Sequence, residues 1–339
     1  FTGGLGATNC LLSTFMGGLS GSSCADAAFE ARMLCPEMVK RGYPLGYSAA
    51  LTATTSCITP IIPPGIALII YATAASCSIG DMFLAGYIPG IIMCVALLAV
   101  NYFIAKTRGY QPAVKEKVTA KQFMKQLGSS IWALLMPVII LGGIFGGIFT
   151  PTESAAVAVV YALLVSLLIY KDIKIKDIPG IFVDGAISTA TILMLVGISK
   201  SSGYVITTSG LPHQVLEVFS SFTNSTVVIL LLLNILFLVI GMLMEANAAI
   251  IMMTPILLPL LDAFGIDPLQ FGIMMSFNLC IGLVTPPVGI CLLMTNQIAE
   301  ARFVQTLKSV MPMLLIGIVV LMLVTYIPQV TTFLPGLIK

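Results

Sequence analysis

The sequence predicts an all-α polytopic membrane protein built from an inverted repeat, and three observations lead to that fold class. Of the 339 residues, 58% are apolar and only 30 (16 Lys and Arg, 14 Asp and Glu) are charged, whereas roughly 25% of a soluble domain is charged. Apolar runs of membrane-spanning length recur along the chain, and two longer segments share a Pro-Pro pair. A single soluble domain is excluded, because so few polar residues could not cover its surface.

Six apolar runs of about 16–23 residues match the roughly 20 residues needed for a helix to cross a 30 Å hydrocarbon core. They are 83–105, 131–149, 155–170, 187–208, 227–244 and 311–326. Thirteen of the 30 charged residues fall in 106–125 and 171–184, and the Lys and Arg residues there predict cytoplasmic loops. Counting crossings from these loops predicts that 209–225 and 262–268 form loops on the outer side.

Two segments are too long for one crossing. Residues 45–76 would reach about 48 Å as a single helix, and they contain Pro60, Pro63 and Pro64; residues 269–299 contain Pro286 and Pro287. Proline removes a backbone donor and breaks helices. Each segment is therefore predicted to be a discontinuous helix, with two half-helices around an unwound middle.

A pair of apolar stretches around a polar tip precedes each discontinuous helix. Residues 5–19 and 24–35 flank the tip at 20–23, and as helices they would reach only about 22 and 18 Å, which predicts a re-entrant hairpin. Residues 227–244 and 248–261 flank the second tip at 245–247, although the first arm there is longer. Irregular backbone at membrane depth must be buried or line a cavity, so both tips should meet both breaks inside the protein.

The two halves of the chain are similar in sequence. At an offset of 223 residues, four positions of the first half match the second: Pro63 with Pro286, Pro64 with Pro287, Gly42 with Gly265 and Pro89 with Pro312. Nearer the first tip we predict an offset of 219, which pairs Asp26 with Glu245 and implies a four-residue insertion. Loop charges place the two copies on opposite sides of the membrane. Inverted repeats with discontinuous helices are typical of secondary transporters.

These features predict three regions. The first repeat covers 1–105, an amphipathic arm and scaffold helices cover 106–225, and the second repeat covers 226–339. A net charge of +2 without a basic face argues against nucleic-acid binding. A non-transporting receptor or scaffold would not need paired broken helices.

Polar residues at the tips and breaks predict two Na⁺ sites, since Na⁺ suits free carbonyls with hydroxyl or carboxylate oxygens added. The first set is Ser20, Gly21, Ser22, Asp26 and Thr59. Its alternative is a structural capping box, Ser23-x-x-Asp26. The second set is Glu245, Asn247, Gly282 and Thr285, and its alternative is a helix amino terminus satisfied by Asn247.

Other polar residues point less directly to function. Glu153 fits a capping box that begins at Thr150, which favours a structural role, whereas Lys200 in the middle of a span is a functional candidate. Gly18-Leu19-Ser20-Gly21 matches the motif of intramembrane serine proteases, a remote alternative. Its serine would need a histidine base, and the single histidine, His213, is predicted in an outer loop. The eight cysteines are interpreted as small buried residues.

The motifs together resemble one known family, the large membrane subunit of tripartite ATP-independent periplasmic (TRAP) transporters. The likeness covers the whole chain. It rests on 18–27 (GLSGSSCADA), 36–38 with 41–44, 60–64 (PIIPP), 147–153 (GIFTPTE), 254–259 (TPILLP), 265–268 (GIDP) and 282–289 (GLVTPPVG). Where family members often have Pro after the second acidic residue, this chain has Ala246.

The resemblance implies Na⁺-driven uptake of an organic acid, such as a C4-dicarboxylate or sialic acid, by an elevator mechanism in a bacterial inner membrane. It implies no cofactor beyond the coupling Na⁺, and two partners: a small four-helix membrane subunit and a periplasmic substrate-binding protein. It also implies further helices before Phe1. The solute is expected between the tips, near Ser23, Pro63, Pro64, Pro286, Pro287 and Gly289. A stand-alone Na⁺/anion symporter of similar fold is the alternative.

Overall fold

The computed structural model describes residues 3–110, 120–223 and 225–338. Within these ranges the secondary structure is helical, without strands. Seven described helices are long and apolar enough to cross a membrane, which confirms the predicted all-α polytopic class. They are Ile79–Arg108, Gly128–Phe145, Pro151–Tyr170, Ile175–Ile198, Thr226–Leu243, Ala246–Phe264 and Phe303–Tyr326.

The chain divides into two compact units, one formed by Phe1–Lys115 with Ile206–Lys339 and the other by Glu116–Val205. The first unit begins with five helices, which are α1 (Gly4–Met16), α2 (Ser23–Lys40), α3 (Leu45–Thr55), α4 (Ile66–Ala74) and α5 (Ile79–Arg108). Helices α1 and α2 lie on either side of the predicted tip at 20–23 and contact each other, but α2 continues beyond the predicted end at residue 35. Pro36 lies inside α2 without ending it.

The second unit contains three long helices, which are α6 (Ala120–Phe145), α7 (Pro151–Leu164, continued as a π-helix over Val165–Tyr170) and α8 (Ile178–Thr208). Tyr161 and Tyr170 of α7 and its extension donate to backbone carbonyls of α6 over 2.7 and 2.8 Å. Glu153 closes a capping box with Thr150 at the start of α7, as predicted. Residues 111–119 of the predicted amphipathic arm lie outside the described residues.

The rest of the first unit comprises seven helices. They are α9 (Leu211–Phe222), α10 (Thr226–Leu243), α11 (Ala246–Phe264), α12 (Pro268–Gly282), α13 (Ile290–Ile298), α14 (Phe303–Tyr326) and α15 (Gln329–Ile338). Helix α9 contradicts the loop predicted over 209–225. Pro212, taken as a loop signal, occupies the second position of α9, where proline fits because the first turn has no internal donor to lose.

Both predicted helix breaks are present. The first lies between Thr55 and Ile66, and the second between Gly282 and Ile290. The Pro63-Pro64 and Pro286-Pro287 bonds, one in each break, are both cis. Discontinuous helices at these two places are therefore confirmed.

The two copies of the repeat contact each other through equivalent helices, and their equivalent residues are separated by a constant 223 positions. Helix α13, which follows the second break, packs on α2, and α4, which follows the first, packs on α11. The residues that cap α2 and α11, Ser22 and Glu245, are 223 positions apart, as are Pro44 and Asp267, which precede α3 and α12. The predicted four-residue insertion is therefore wrong, because the helices on both sides of it begin at the same offset of 223 residues. The counterpart of Asp26 is Ala249.

Candidate functional site

The tip of the first hairpin lies directly against the first helix break. Gly21 adopts φ +59°, and its carbonyl accepts a hydrogen bond from Ile66 N over 3.3 Å. A Cβ atom at Gly21 would lie 3.0 Å from both Ile66 N and Pro64 O. The left-handed backbone and the close approach both require glycine here, and together they hold the tip in place.

The capping-box alternative for Asp26 is wrong. The α2 cap is Ser22, whose hydroxyl accepts from Ala25 N over 3.4 Å. Asp26 lies one turn into the helix, and its side chain is fully buried, 0% exposed. Its carboxylate is therefore free of the capping role that the sequence alone allowed.

Asp26 meets the first break at Thr59, as predicted. The Thr59 hydroxyl lies 2.5 Å from Asp26 Oδ2, to which it can donate, and 3.1 Å from the carbonyl of Ser13. The other carboxylate oxygen, Oδ1, is buried without a hydrogen-bond partner among the described residues. A buried carboxylate oxygen without a donor is costly. The same carboxylate contacts the Thr59 hydroxyl, which also contacts the Ser13 carbonyl, and hydroxyl and carbonyl oxygens can both coordinate Na⁺.

The other residues of the first predicted set stay at the tip. Ser20 Oγ accepts from Ser22 N over a long 3.5 Å, and Gly21 contacts the break. Their described hydrogen bonds run to the backbone of the tip and the break, not to the Asp26 carboxylate. The set therefore forms two neighbouring groups. One is the pair Asp26 and Thr59, and the other is the tip itself, Ser20, Gly21 and Ser22.

The second predicted set is also divided. Glu245 caps α11 by accepting from Ala248 N over 3.1 Å, and the Asn247 amide donates to its other oxygen over 2.9 Å. Both carboxylate oxygens are thus satisfied locally, and the residue is half-buried. Gly282 instead packs on Gly241, and Thr285 donates to Ile281 O over 2.7 Å. No described hydrogen bond joins these two pairs.

Both hairpin tips border one small open cavity. The lining residues come from the first turns of α2 and α11, the two breaks and the adjoining helix ends. They are Gly21, Ser22, Ser23, Cys24, Pro60, Ala67, Glu245, Ala246, Asn247, Cys280 and Leu283. The predicted convergence of tips and breaks is thus present, and two helix amino termini border one cavity.

Of the six predicted solute residues, only Ser23 is among the described residues that line this cavity. Pro64 lies behind the first tip, where its carbonyl faces Gly21. Gly289 is buried at φ +56° and precedes α13. The side chains of Lys200 and His213 lie outside the described residues.

Sequence reasoning missed a polar cluster beneath Asp26. Glu30, one turn further along α2, is 0% exposed, and Ser13 donates to its Oε2 over 2.8 Å. Thr55 and Asn9, both fully buried, are joined by a 2.8 Å hydrogen bond next to it. The available signal was the spacing of Asp26 and Glu30, four apart on one face of a largely apolar helix.

Most cysteines are buried as predicted, since six of the eight free thiols have buried side chains. Cys24 and Cys280 also line the cavity. Cys24, at the first tip, lies 3.6 Å from Cys291 of α13, sulfur to sulfur, and the Cys57 thiol is 3.0 Å from the carbonyl of Cys280. These contacts join the first tip to α13 and the first break to α12.

A family model for the DctM component of tripartite ATP-independent periplasmic transporters matches residues 1–330. The chain is 37% identical to the isethionate TRAP transporter permease protein DctMQ of Oleidesulfovibrio alaskensis, over 98% of this chain and 52% of that protein. It is 37% identical to the sialic acid TRAP transporter large permease protein SiaM of Vibrio cholerae, over 99% of this chain and 78% of that protein.

The chain is also 35% identical to the C4-dicarboxylate TRAP transporter large permease protein DctM of Pseudomonas aeruginosa, over 98% of this chain and 78% of that protein. It thus spans about half the length of the first of these relatives and about four fifths of the other two. The matches extend across both copies of the repeat and all the site residues described above.

Proposed function

The chain belongs to the DctM family of TRAP transporter large permeases, which are transporters and not enzymes, and from this premise we propose that it carries out Na⁺-coupled uptake of an organic acid. The supporting observation is the meeting of two hairpin tips and two helix breaks at one cavity beside the buried Asp26. The protease alternative is dropped with the family assignment.

The cavity suits a small anion. The first turns of α2 and α11 border it from two sides, and the amino end of a helix carries roughly half a positive charge with free N–H donors. Ser23 and Asn247 add polar side chains. A carboxylate or sulfonate group at a tip would receive donors without a buried Lys or Arg, which supports an organic acid as the solute.

The coupling Na⁺ is assigned first to Asp26. Its unpartnered Oδ1 supplies charge, and the Thr59 hydroxyl and Ser13 carbonyl supply neutral oxygens. A second Na⁺ position at Glu245, Asn247, Gly282 and Thr285 has weaker support, because both Glu245 oxygens already accept hydrogen bonds. Na⁺ there would have to displace the cap of α11.

The transport cycle is assigned to an elevator motion in a bacterial inner membrane, in which the two hairpins act as re-entrant elements and move with the broken helices. The close contact of Gly21 with the first break supports movement of tip and break as one body. The partners are a small four-helix membrane subunit and a periplasmic binding protein that delivers the solute.

Reconstitution of the full-length protein with both partners in proteoliposomes tests this function. Labelled isethionate, sialic acid and a C4-dicarboxylate serve as probes, and at least one should accumulate when Na⁺ is supplied outside. Asp26→Asn should flatten the Na⁺ activation curve, whereas Glu37→Gln, an exposed change on the same helix, should leave it unchanged. Accumulation that ignores the Na⁺ gradient would refute the proposal.

Omitting the binding protein distinguishes the alternative, a stand-alone Na⁺/anion symporter. Such a symporter would transport the solute at the same rate without it. The proposed three-component transporter should lose most of its uptake.

A further inference from the structure

Glu30 gives the first hairpin a second buried carboxylate. It lies four residues after Asp26 on α2, so both side chains project from one face of the helix, and both are 0% exposed. The corresponding residues of the second copy, at the offset of 223, are the apolar Ala249 and Met253. The carboxylate pair therefore belongs to one copy and is not needed to build a hairpin.

Oxygen atoms from two neighbouring helices, α1 and α3, surround Glu30. The Ser13 hydroxyl of α1 donates to Glu30 Oε2 over 2.8 Å, and the Thr55 hydroxyl of α3 lies 3.5 Å from the same oxygen. Thr55 is also 2.8 Å from the amide oxygen of Asn9 on α1. Glu30 Oε1 is fully buried and has no hydrogen-bond partner among the described residues.

The surroundings of the pair contain no compensating positive charge in the described part of the chain. The titratable groups near Glu30 are Asp26 and Cys35 on its own helix and Cys10 on α1. The ion pairs found among described residues, Lys40 and Arg41 with Glu37, lie at the exposed end of α2. Two adjacent buried carboxylates are strongly unfavourable when both are ionised and no cation is near, so an ionised Glu30 needs a cation of its own in addition to a Na⁺ at Asp26.

We propose that Glu30, with Ser13, Thr55 and Asn9, forms an additional Na⁺ position directly beneath Asp26, so that the carboxylate pair takes up two cations in each transport cycle. A carboxylate, two hydroxyls and an amide oxygen form an oxygen-only ligand set, which suits a hard monovalent ion. Because Ser13 lies next to both carboxylates, the two positions are neighbours within one polar cluster. The inference rests on the proposed Na⁺ coupling and adds an ion to it.

Equilibrium binding of ²²Na⁺ to the purified full-length complex tests this position without knowledge of the solute. Glu30→Gln, which keeps the shape and removes the charge, should lower the bound Na⁺ by one ion per protein. Glu30→Asp should keep the number of ions with a several-fold weaker half-saturation. The control, Glu37→Gln, should match the wild type.

Three outcomes separate the claims. If the wild-type complex binds no ²²Na⁺, the proposed Na⁺ coupling fails. If wild type binds Na⁺ and a monodisperse Glu30→Gln complex binds the same number of ions, the Glu30 position is overturned while Na⁺ coupling at Asp26 stands. Loss of one ion in Glu30→Gln, with a further ion lost when Asp26→Asn is added, supports both.

Discussion

Replacing Gly21 by Ala should damage both the stability and the transport activity of the protein, because two separate penalties meet at this position. The left-handed backbone at φ +59° costs an L-residue about 1–2 kcal/mol. The added methyl group would stand 3.0 Å from the backbone atoms Ile66 N and Pro64 O, which cannot move as a side chain can. Such overpacking costs about a further 1–3 kcal/mol.

Gly265→Ala is the matched control for this change. Gly265 has nearly the same backbone angle, φ +63°, but no atom of the described residues lies within 4 Å of the Cβ that alanine would add. It should therefore show the backbone penalty alone, about 1–2 kcal/mol. The two variants should differ by about 1–3 kcal/mol, which corresponds to roughly a few degrees in the midpoint of thermal unfolding.

Thermal unfolding of the purified variants in one detergent measures this difference, and uptake by the reconstituted complex shows its consequence for function. Gly21→Ala should unfold at the lower temperature and lose most of its uptake, since the tip and the break form the cavity together. Equal unfolding midpoints for Gly21→Ala and Gly265→Ala would refute the claim that the tip is pressed against the break.

Three further changes test separate parts of the structure. Glu245→Ala should lower stability by about 1 kcal/mol even in Na⁺-free choline buffer, because it removes the cap on Ala248 N; an unchanged midpoint there would contradict the capping role. Mild oxidation should join Cys24 to Cys291, whose sulfurs lie 3.6 Å apart, and block uptake until a reductant is added; a Cys24→Ser protein that is inhibited equally would show that another thiol is responsible. Phe271→Ala should cost about 3–5 kcal/mol, because this fully buried ring fills the core, and a loss below about 1 kcal/mol in denaturant titration would show that the packing there is loose.

The sequence predicted those parts of the fold that depend on local chemistry. The Pro-Pro pairs at 63–64 and 286–287 lie in segments too long for one crossing, so the breaks were readable from spacing, whereas single prolines such as Pro36 lie inside a helix. The polar tips followed from the short apolar arms around them. The Thr150 and Glu153 capping box was equally local, and it is present as predicted.

Features that depend on contacts between distant segments were not predictable in the same way. Ser22 and Ser23 are equally good caps by composition, and only the course of the backbone selects Ser22, which leaves Asp26 to face Thr59. Glu30 was missed because its partners, Ser13 and Thr55, come from two other helices. A spacing of four residues shows that Asp26 and Glu30 share one face of the helix, but it does not show that this face is buried.

The repeat illustrates the same limit. Pairing Asp26 with Glu245 matched residue type at the expense of register, whereas the helix starts place Ser22 opposite Glu245. The two acidic residues therefore have different positions: Glu245 caps its helix at the cavity, and Asp26 lies buried one turn deeper. This difference makes Asp26 the stronger candidate for the coupling ion.

Solute uptake by the reconstituted full-length complex, with and without an inward Na⁺ gradient at a fixed membrane potential, tests the central claim most directly. The proposed function predicts accumulation of an organic acid above its external concentration only when Na⁺ is higher outside and the binding protein is present. Equal accumulation without the Na⁺ gradient, with the binding protein supplied in both cases, would contradict it.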